Sequence, residues 1–259
     1  MVDMDDTALT DWIVESAGRL AEVAAIVGSR EPVPTCPPWT MRQLVAHVIS
    51  GLSGWYTHNL THGDRPIDFE SSWNSQPPLP RGNAERLGYL MRVAEDFSEF
   101  VASRDLDAPC YVFQHRRTAR GWVLRAATET AVHVWDAEEV LGEVTMLPAD
   151  RAATSIDETL RYMWPGALLV TKQDPRGEGL PEMPVGIRAV DLDRAWRVGR
   201  GADDLVVELI DPGEALPADS VTGEANDIVR WLFGRIPTTS LAVTGDQGVI
   251  EAWNLSAAT

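Results

Sequence analysis

The sequence predicts an α+β protein of two domains, with a helical domain at residues 1–172 and a small α+β domain at residues 173–259. Three observations support this fold class. Apolar residues recur at helical spacing through most of the first 170 residues. A stretch rich in glycine, proline and charge, KQDPRGEGLPEMP, then interrupts the pattern and resembles a linker. Beyond it, short β-rich runs flank one further helix, and no internal repeat is visible.

The first two helices have recognisable ends. Apolar residues at helical spacing predict a helix over residues 7–28, and Gly28 stands where a C-terminal glycine is favoured. A proline-rich turn follows, and the second helix begins at Thr40 and extends to about residue 60. Gln43 stands three residues after Thr40, which is the spacing of a capping box.

Residues 61–80 are rich in Gly, Pro, Ser and Asp and are predicted to form a long loop. Three further helices are predicted at residues 83–103, 119–141 and 149–170. Gly142 ends the middle one, and Pro165 is expected to break or kink the last. Helices of this length joined by short connections favour a bundle.

The second domain is predicted from shorter segments. Its β-rich runs cover residues 185–190, 195–199, 205–210, 240–244 and 248–253. A helix at about 224–233, closed by Gly234, separates the first three runs from the last two.

The composition of the chain disfavours several classes of binding partner and of cellular location. The formal net charge is -17, which disfavours binding to nucleic acid or to anionic lipid. No apolar stretch approaches the length of a membrane-spanning helix, and the first residues lack the apolar core of a signal peptide. The two cysteines, Cys36 and Cys110, do not form a disulfide framework, so we expect a cytoplasmic protein.

The candidate chemistry lies on the second and fourth helices. Glu129 and His133 are four residues apart, so their side chains project from one face of a helix. That face carries apolar residues, and a carboxylate there is costly unless it is paired or binds a metal. His47 lies on the apolar stripe of the second helix and would supply a third ligand. Three protein ligands that leave a position open are typical of catalytic zinc.

The spacing leaves other interpretations open. A glutamate and a histidine four residues apart also form surface ion pairs or hydrogen-bonded core histidines. Asp136 would either support the site from behind or lie exposed near the end of its helix. Four tryptophans flank these residues in the sequence, and we expect three of them to be core: Trp39, Trp55, Trp122 and Trp135.

Three sequence motifs resemble a known family. CPPWTMRQLVAHV, at residues 36–48, is similar to the C-P-x-W-T-x-x-x-L-x-x-H opening of the mycothiol-dependent maleylpyruvate isomerase family. ETAVHVWDAEEVLG, at residues 129–142, resembles the second motif of that family, in which Trp-Asp follows E-x-x-x-H. DIVRWLFGR, at residues 227–235, is more loosely similar to the C-terminal domain.

The resemblance implies a fold and a set of site residues. The fold is a DinB-like up-down four-helix bundle, with one added helix here, followed by an α+β domain similar to sterol carrier proteins. The metal triad of the family maps onto His47, Glu129 and His133, and its usual metal is zinc. Its catalytic arginine maps onto Arg235, with Arg230 as a lesser candidate. The alternative for Arg235 is a surface charge favoured by the end of a helix.

The function implied by the resemblance is a zinc-dependent transferase or isomerase that uses mycothiol or a similar small thiol. Its partners would be that thiol and a small electrophilic substrate, and the chain would be a monomer or a homodimer. Two alternatives remain open. One is a DinB-like metalloprotein with thiol-independent chemistry, and the other is a non-enzymatic protein whose C-terminal domain binds an apolar ligand.

Overall fold

The computed structural model describes residues 4–75, 78–113, 115–166, 180–202 and 204–254. Contacts between residues divide the chain into two compact units, one ending at Met146 and the other beginning at Leu147. The domain boundary expected between residues 172 and 173 lies outside the described residues, as does most of the predicted linker. Among the described helices, none has both the length and the apolarity needed to cross a membrane.

The first unit contains six described α-helices, and all of them except α4 occur where the sequence predicts helix. They are α1 (Asp6–Val27), α2 (Met41–Ser50), α3 (Thr57–His62), α4 (Phe69–Asn74), α5 (Asn83–Ala102) and α6 (Arg120–Glu138). A π-helical turn, Gly51–Tyr56, joins α2 to α3 without a break, so that the pair matches the second predicted helix. The predicted capping box is present, and the Thr40 N–H donates to Gln43 Oε1 at 2.9 Å.

These helices pack around one apolar core. Helix α1 contacts α2, α5 and α6, and α2 contacts α5 and α6 in turn. Trp12, Trp122 and Leu44 are fully buried between them. The core therefore fixes the inner faces of α2 and α6, which carry the candidate ligands.

Two elements of the first unit differ from the sequence-based prediction. Helix α4 lies within the segment 61–80, which was predicted to be a loop. Asp68 begins it by accepting the N–H of Glu70 at 3.1 Å. A hairpin of β1 (Pro109–Val112) and β2 (His115–Thr118) connects α5 to α6 and was not predicted. Its strands are four residues long, too short for alternation to be recognised.

The second unit begins with α7 (Ala149–Glu158), which continues into a π-helical turn, Thr159–Met163. The chain stays helical through Pro165 and Gly166. It continues with β3 (Val185–Ala189), β4 (Arg194–Arg200), β5 (Leu205–Ile210), β6 (Asp219–Gly223), α8 (Ala225–Leu232), β7 (Ala242–Thr244) and α9 (Gln247–Trp253). The sheet order is β5-β4-β3-β6-β7, with β3 and β6 parallel and the other neighbours antiparallel. Helix α7, predicted as part of the first domain, packs against α8.

The prediction of a β-rich run at residues 248–253 was wrong, because this segment forms α9. Asp246 begins the helix by accepting the N–H of Gly248 at 2.8 Å. Ile250 and Trp253 are both fully buried, three residues apart on one face. In a run this short, helical and strand spacing are hard to distinguish. Strand β6, in contrast, was not predicted at all.

Candidate metal centre

His47, Glu129 and His133 come together in the first unit. His47 Nε2 lies 2.7 Å from Glu129 Oε1, and His133 Nε2 lies 3.6 Å from the same oxygen. The two imidazole rings are almost perpendicular, with centroids 4.9 Å apart. The three side chains could therefore direct two nitrogens and one oxygen at a single point, and these atoms all lie within 4.8 Å of one another.

The donor set fits a divalent cation. Tetrahedral zinc with ligand bonds of about 2.1 Å places neighbouring ligand atoms roughly 3.4 Å apart. The observed separations of 2.7 and 3.6 Å bracket this value. Adjustments of less than about 1 Å would satisfy the coordination geometry. The set of two imidazoles and one carboxylate is also one that catalytic zinc uses.

The site is open on one side. The side chains of His47 and Glu129 are 34% and 21% exposed, whereas that of His133 is 8% exposed. Trp39 packs against both imidazoles, with ring centroids 4.9 Å from His47 and 6.3 Å from His133. A small molecule can therefore approach beside His47 and Trp39, while His133 forms the closed floor.

The two oxygens of Glu129 have different partners. Oε2 accepts a hydrogen bond from the Tyr56 hydroxyl and lies 3.3 Å from Nη2 of Arg125, which is buried. Oε1 faces the two histidines. Because Tyr56 and Arg125 hold Oε2, the carboxylate is oriented with Oε1 available to a cation.

Electrostatics favour a charged glutamate and a charged histidine when no cation is bound. Burial alone would raise the pKa of Glu129, but the charge of Arg125 and the hydrogen bonds from the histidines hold this pKa well below its usual value. Burial lowers the pKa of His133, but its hydrogen bonds, foremost the one with Asp136, raise that pKa well above its usual value. The metal-free site thus pairs a negatively charged Glu129 with a positively charged His133.

Asp136 lies behind His133 rather than in solvent. It is fully buried, and its Oδ2 is 2.8 Å from His133 Nδ1. Of the two positions left open by the sequence, the structure therefore places Asp136 in the supporting one. Of the four flanking tryptophans, Trp122 and Trp135 are buried, while Trp39 and Trp55 are only partly so. Two rather than three belong to the core.

Sequence reasoning did not identify Tyr56 and Arg125. Arg125 stands four residues before Glu129, so the spacing for an ion pair on one helix face was present. Tyr56 reaches Glu129 from the π-helical turn after α2, and the sequence carries no signal for this contact.

The structure places Arg235 in the second unit, just after α8. Its Nη1 donates to the carbonyl of Phe233 at 2.6 Å. It lines a cavity of about 500 Å³ together with Thr238, Glu251 and Asn254. The predicted catalytic residue and the three predicted metal ligands thus belong to different units.

Comparison with solved structures indicates the same overall fold as a known enzyme. The crystal structure of the mycothiol-dependent maleylpyruvate isomerase matches with a TM-score of 0.54 and 15% sequence identity. A mutant of that enzyme, in which a histidine is replaced by alanine, matches with a TM-score of 0.54 and 14% identity. Each alignment covers 93% of this chain and 93% of the other. At such low identity the likeness concerns the fold alone.

Sequence comparison gives the family directly. No curated protein matches this chain. The family model described as the mycothiol maleylpyruvate isomerase N-terminal domain matches residues 9–138, which is half of the chain and includes His47, Glu129 and His133. The chain therefore belongs to the mycothiol maleylpyruvate isomerase family.

Proposed function

We propose that this protein is a zinc-dependent enzyme that attaches mycothiol, or a similar small thiol, to a small electrophile or uses that thiol to isomerise the electrophile. The observation that carries this proposal is the convergence of His47, Glu129 and His133, whose ligand atoms lie within 4.8 Å of one another. Membership of the family supports the thiol as cosubstrate. The proteins of similar fold are mycothiol-dependent isomerases, which agrees with the isomerase form of this proposal.

The three side chains would hold zinc and leave at least one position for the incoming thiol. A bound cation would supply one kind of chemistry, stabilisation of the thiolate, so that the nucleophile is present at neutral pH. The exposed side of the site, beside His47, is where the thiol would enter.

The protein's own residues would orient the ligands and shape the pocket. Tyr56 and Arg125 hold Glu129 by Oε2, and Asp136 holds His133 by Nδ1. The partly exposed indole of Trp39 would form an apolar wall beside the entering thiol. Preorganised contacts of this kind reduce the reorganisation needed on binding.

The same proposal extends to the fold and to Arg235. We propose that the first unit is a DinB-like up-down bundle, that the second is similar to sterol carrier proteins, and that the chain acts as a monomer or a homodimer.

We propose that Arg235 binds an anionic group of the substrate, for which the guanidinium is well suited. Arg235→Gln should then lower turnover at least tenfold while the zinc content stays unchanged.

Elemental analysis of purified protein tests the metal site. We expect one zinc per wild-type chain and little or none in His47→Ala. His58→Ala is the matched control, because His58 lies further along the same helical segment and stacks on His62 at 4.0 Å. Equal zinc in His47→Ala and the wild type would show that the site is assigned to the wrong residues.

A conjugation assay with mycothiol and a panel of electrophiles tests the reaction. Wild type should consume thiol or change the geometry of an activated double bond, and His47→Ala should do neither. Zinc-loaded protein that reacts with no thiol would instead favour thiol-independent chemistry in the same site. Protein without zinc that binds apolar ligands in its second unit would favour a non-enzymatic binding protein.

A further inference from the structure

A second cluster of polar side chains lies directly behind the candidate metal centre. Oδ2 of Asp136 accepts hydrogen bonds from His133 Nδ1 at 2.8 Å and from the Cys36 thiol at 3.2 Å. Asp136 is fully buried and Cys36 is partly exposed. The thiol, the carboxylate and the imidazole therefore form a continuous chain that ends at a candidate ligand.

The carboxylate fixes which nitrogen of His133 is free. A buried carboxylate is costly unless donors satisfy it, and ionised Asp136 can only accept hydrogen bonds. Nδ1 of His133 therefore donates to Asp136, and Nε2 is the ring nitrogen that faces Glu129 and can bind a cation. A carboxylate behind a metal-binding histidine is a recurring way to fix the ring and strengthen the ligand.

The thiol is held in place by the backbone of its loop. The N–H of Cys36 donates to the carbonyl of Val33 at 3.1 Å, and the N–H of Trp39 donates to the carbonyl of Cys36 at 2.7 Å. The N–H of Val33 donates to the carbonyl of Trp39 at 2.9 Å, which closes the turn. One compact turn thus directs Cys36 at Asp136 and Trp39 at the imidazoles.

We propose that Cys36 and Asp136 are positioning residues, in which the thiol orients the carboxylate and the carboxylate orients His133 toward the cation. This inference depends on the proposed zinc site. It gives Cys36 a role other than that of a nucleophile or a packing residue.

The same side chains could instead bind a cation themselves, since Cys36, His133 and Asp136 also offer ligand atoms within 4.8 Å of one another. Two observations favour positioning. Asp136 and His133 are both buried, so a cation between them would have little access to a substrate. Using Nδ1 as a ligand would also break the 2.8 Å hydrogen bond that holds the ring.

Zinc affinity, measured by chelator competition in the absence of thiol, tests the proposal. Asp136→Ala should weaken binding about 10- to 100-fold, as for other residues that support metal-binding histidines. Asp136→Asn keeps an acceptor oxygen and should weaken binding less. Cys36→Ala should weaken binding several-fold, and Cys36→Ser, which keeps a donor, should restore most of the affinity.

The control is Cys110→Ala, because Cys110 is buried elsewhere, with its thiol 3.9 Å from the carbonyl of Asn59. It should leave zinc affinity unchanged. Thermal unfolding of the metal-free variants shows whether each is folded. If Asp136→Ala does not fold, Asp136→Asn provides the test of zinc affinity. A structural role alone would lower the melting temperature without changing the affinity of the folded protein.

X-ray absorption at the zinc edge separates the two uses of the cluster. We expect nitrogen and oxygen but no protein sulfur around zinc in thiol-free wild type. A sulfur ligand that disappears in Cys36→Ser would overturn the positioning role. Wild type without zinc would overturn both this inference and the proposed function. If the wild type binds zinc and both Asp136 variants bind it with the same affinity, this inference is wrong while the proposed zinc site stands.

Discussion

Glu129 shows how single residues define the site. One of its oxygens is occupied by Tyr56 and Arg125, and the other faces the two histidines. Because Oε2 is held by these two partners, Oε1 points toward the histidines before any cation binds. The charge of Arg125 also keeps Glu129 ionised, which is the form that a metal requires.

Zinc binding should depend on pH through His133. Its pKa is raised well above the usual value in the metal-free protein, so it carries a proton near neutrality that zinc must displace. The pKa of Glu129 is lowered, so Glu129 has no proton to release in this range. We therefore expect release of about one proton per zinc at pH 7, and affinity that falls about tenfold per pH unit below the pKa of His133.

Isothermal titration calorimetry in two buffers with different ionisation enthalpies measures this proton release. A buffer-independent heat of binding, together with an affinity that is constant between pH 6 and 8, would contradict the assignment of His133 as a ligand.

The site residues that the sequence could identify are those whose spacing along a helix places them on one face. Glu129 and His133 share a helix face by their separation of four residues, and His47 lies on an apolar stripe. Asp136 follows His133 on that face, although spacing alone left open whether it was buried. Tyr56 and Trp39 reach the site from other segments, so only the tertiary arrangement reveals their contacts.

Among the elements, the π-helical turn after α2 matters most for the site. It carries Tyr56 toward Glu129 while α2 continues into α3. Gly51, at the start of this turn, lies close to Tyr56, and an added Cβ there would stand 3.2 Å from Tyr56 Cε2. An alanine at position 51 would therefore require the Tyr56 ring to move by a few tenths of an ångström.

Gly51→Ala should accordingly weaken zinc binding several-fold and destabilise the protein by about 1 kcal/mol, because the tyrosine ring must shift. Gly88→Ala on α5 is the matched control. An added Cβ there would meet Arg92 Nη1 at 3.6 Å, an ordinary contact with a flexible side chain. This variant should gain about 0.4–1 kcal/mol from helix propensity and a less flexible unfolded chain.

Chemical denaturation and chelator competition on both variants measure these effects. Equal stabilisation by the two substitutions, with unchanged zinc affinity, would show that Gly51 places no constraint on Tyr56.

The long helices were predicted from the sequence, whereas several short elements were not. The helices α1, α5 and α6 repeat their apolar spacing over about twenty residues, which no strand would produce. The hairpin β1–β2 and strand β6 have four or five residues each, and α9 has seven. At these lengths the fold is decided by partners distant in sequence, such as β3 beside β6.

At the scale of the whole molecule, two compact units share the chain, and the proposed ligands all lie in the first. The net charge of -17 makes the molecule as a whole attractive to cations and unfavourable for polyanions. A cation bound by three side chains of the first unit would stabilise that unit directly. It would have no ligand in the second.

Zinc should therefore protect the two units differently. At free zinc of 100 times its Kd, binding adds about 2.7 kcal/mol to the stability of the unit that holds it. Hydrogen exchange read by mass spectrometry should show slower exchange in peptides from α2 and α6 on zinc addition, with little change in β3–β6. Protection confined to the second unit would place the metal there instead.

Anomalous diffraction at the zinc edge, on crystals of the purified protein without added thiol, would locate the metal. We expect one anomalous peak about 2.0–2.2 Å from Nε2 of His47, Oε1 of Glu129 and Nε2 of His133. A zinc-loaded crystal with no peak between these three atoms, or with its peak bonded to the Cys36 sulfur, would contradict this assignment.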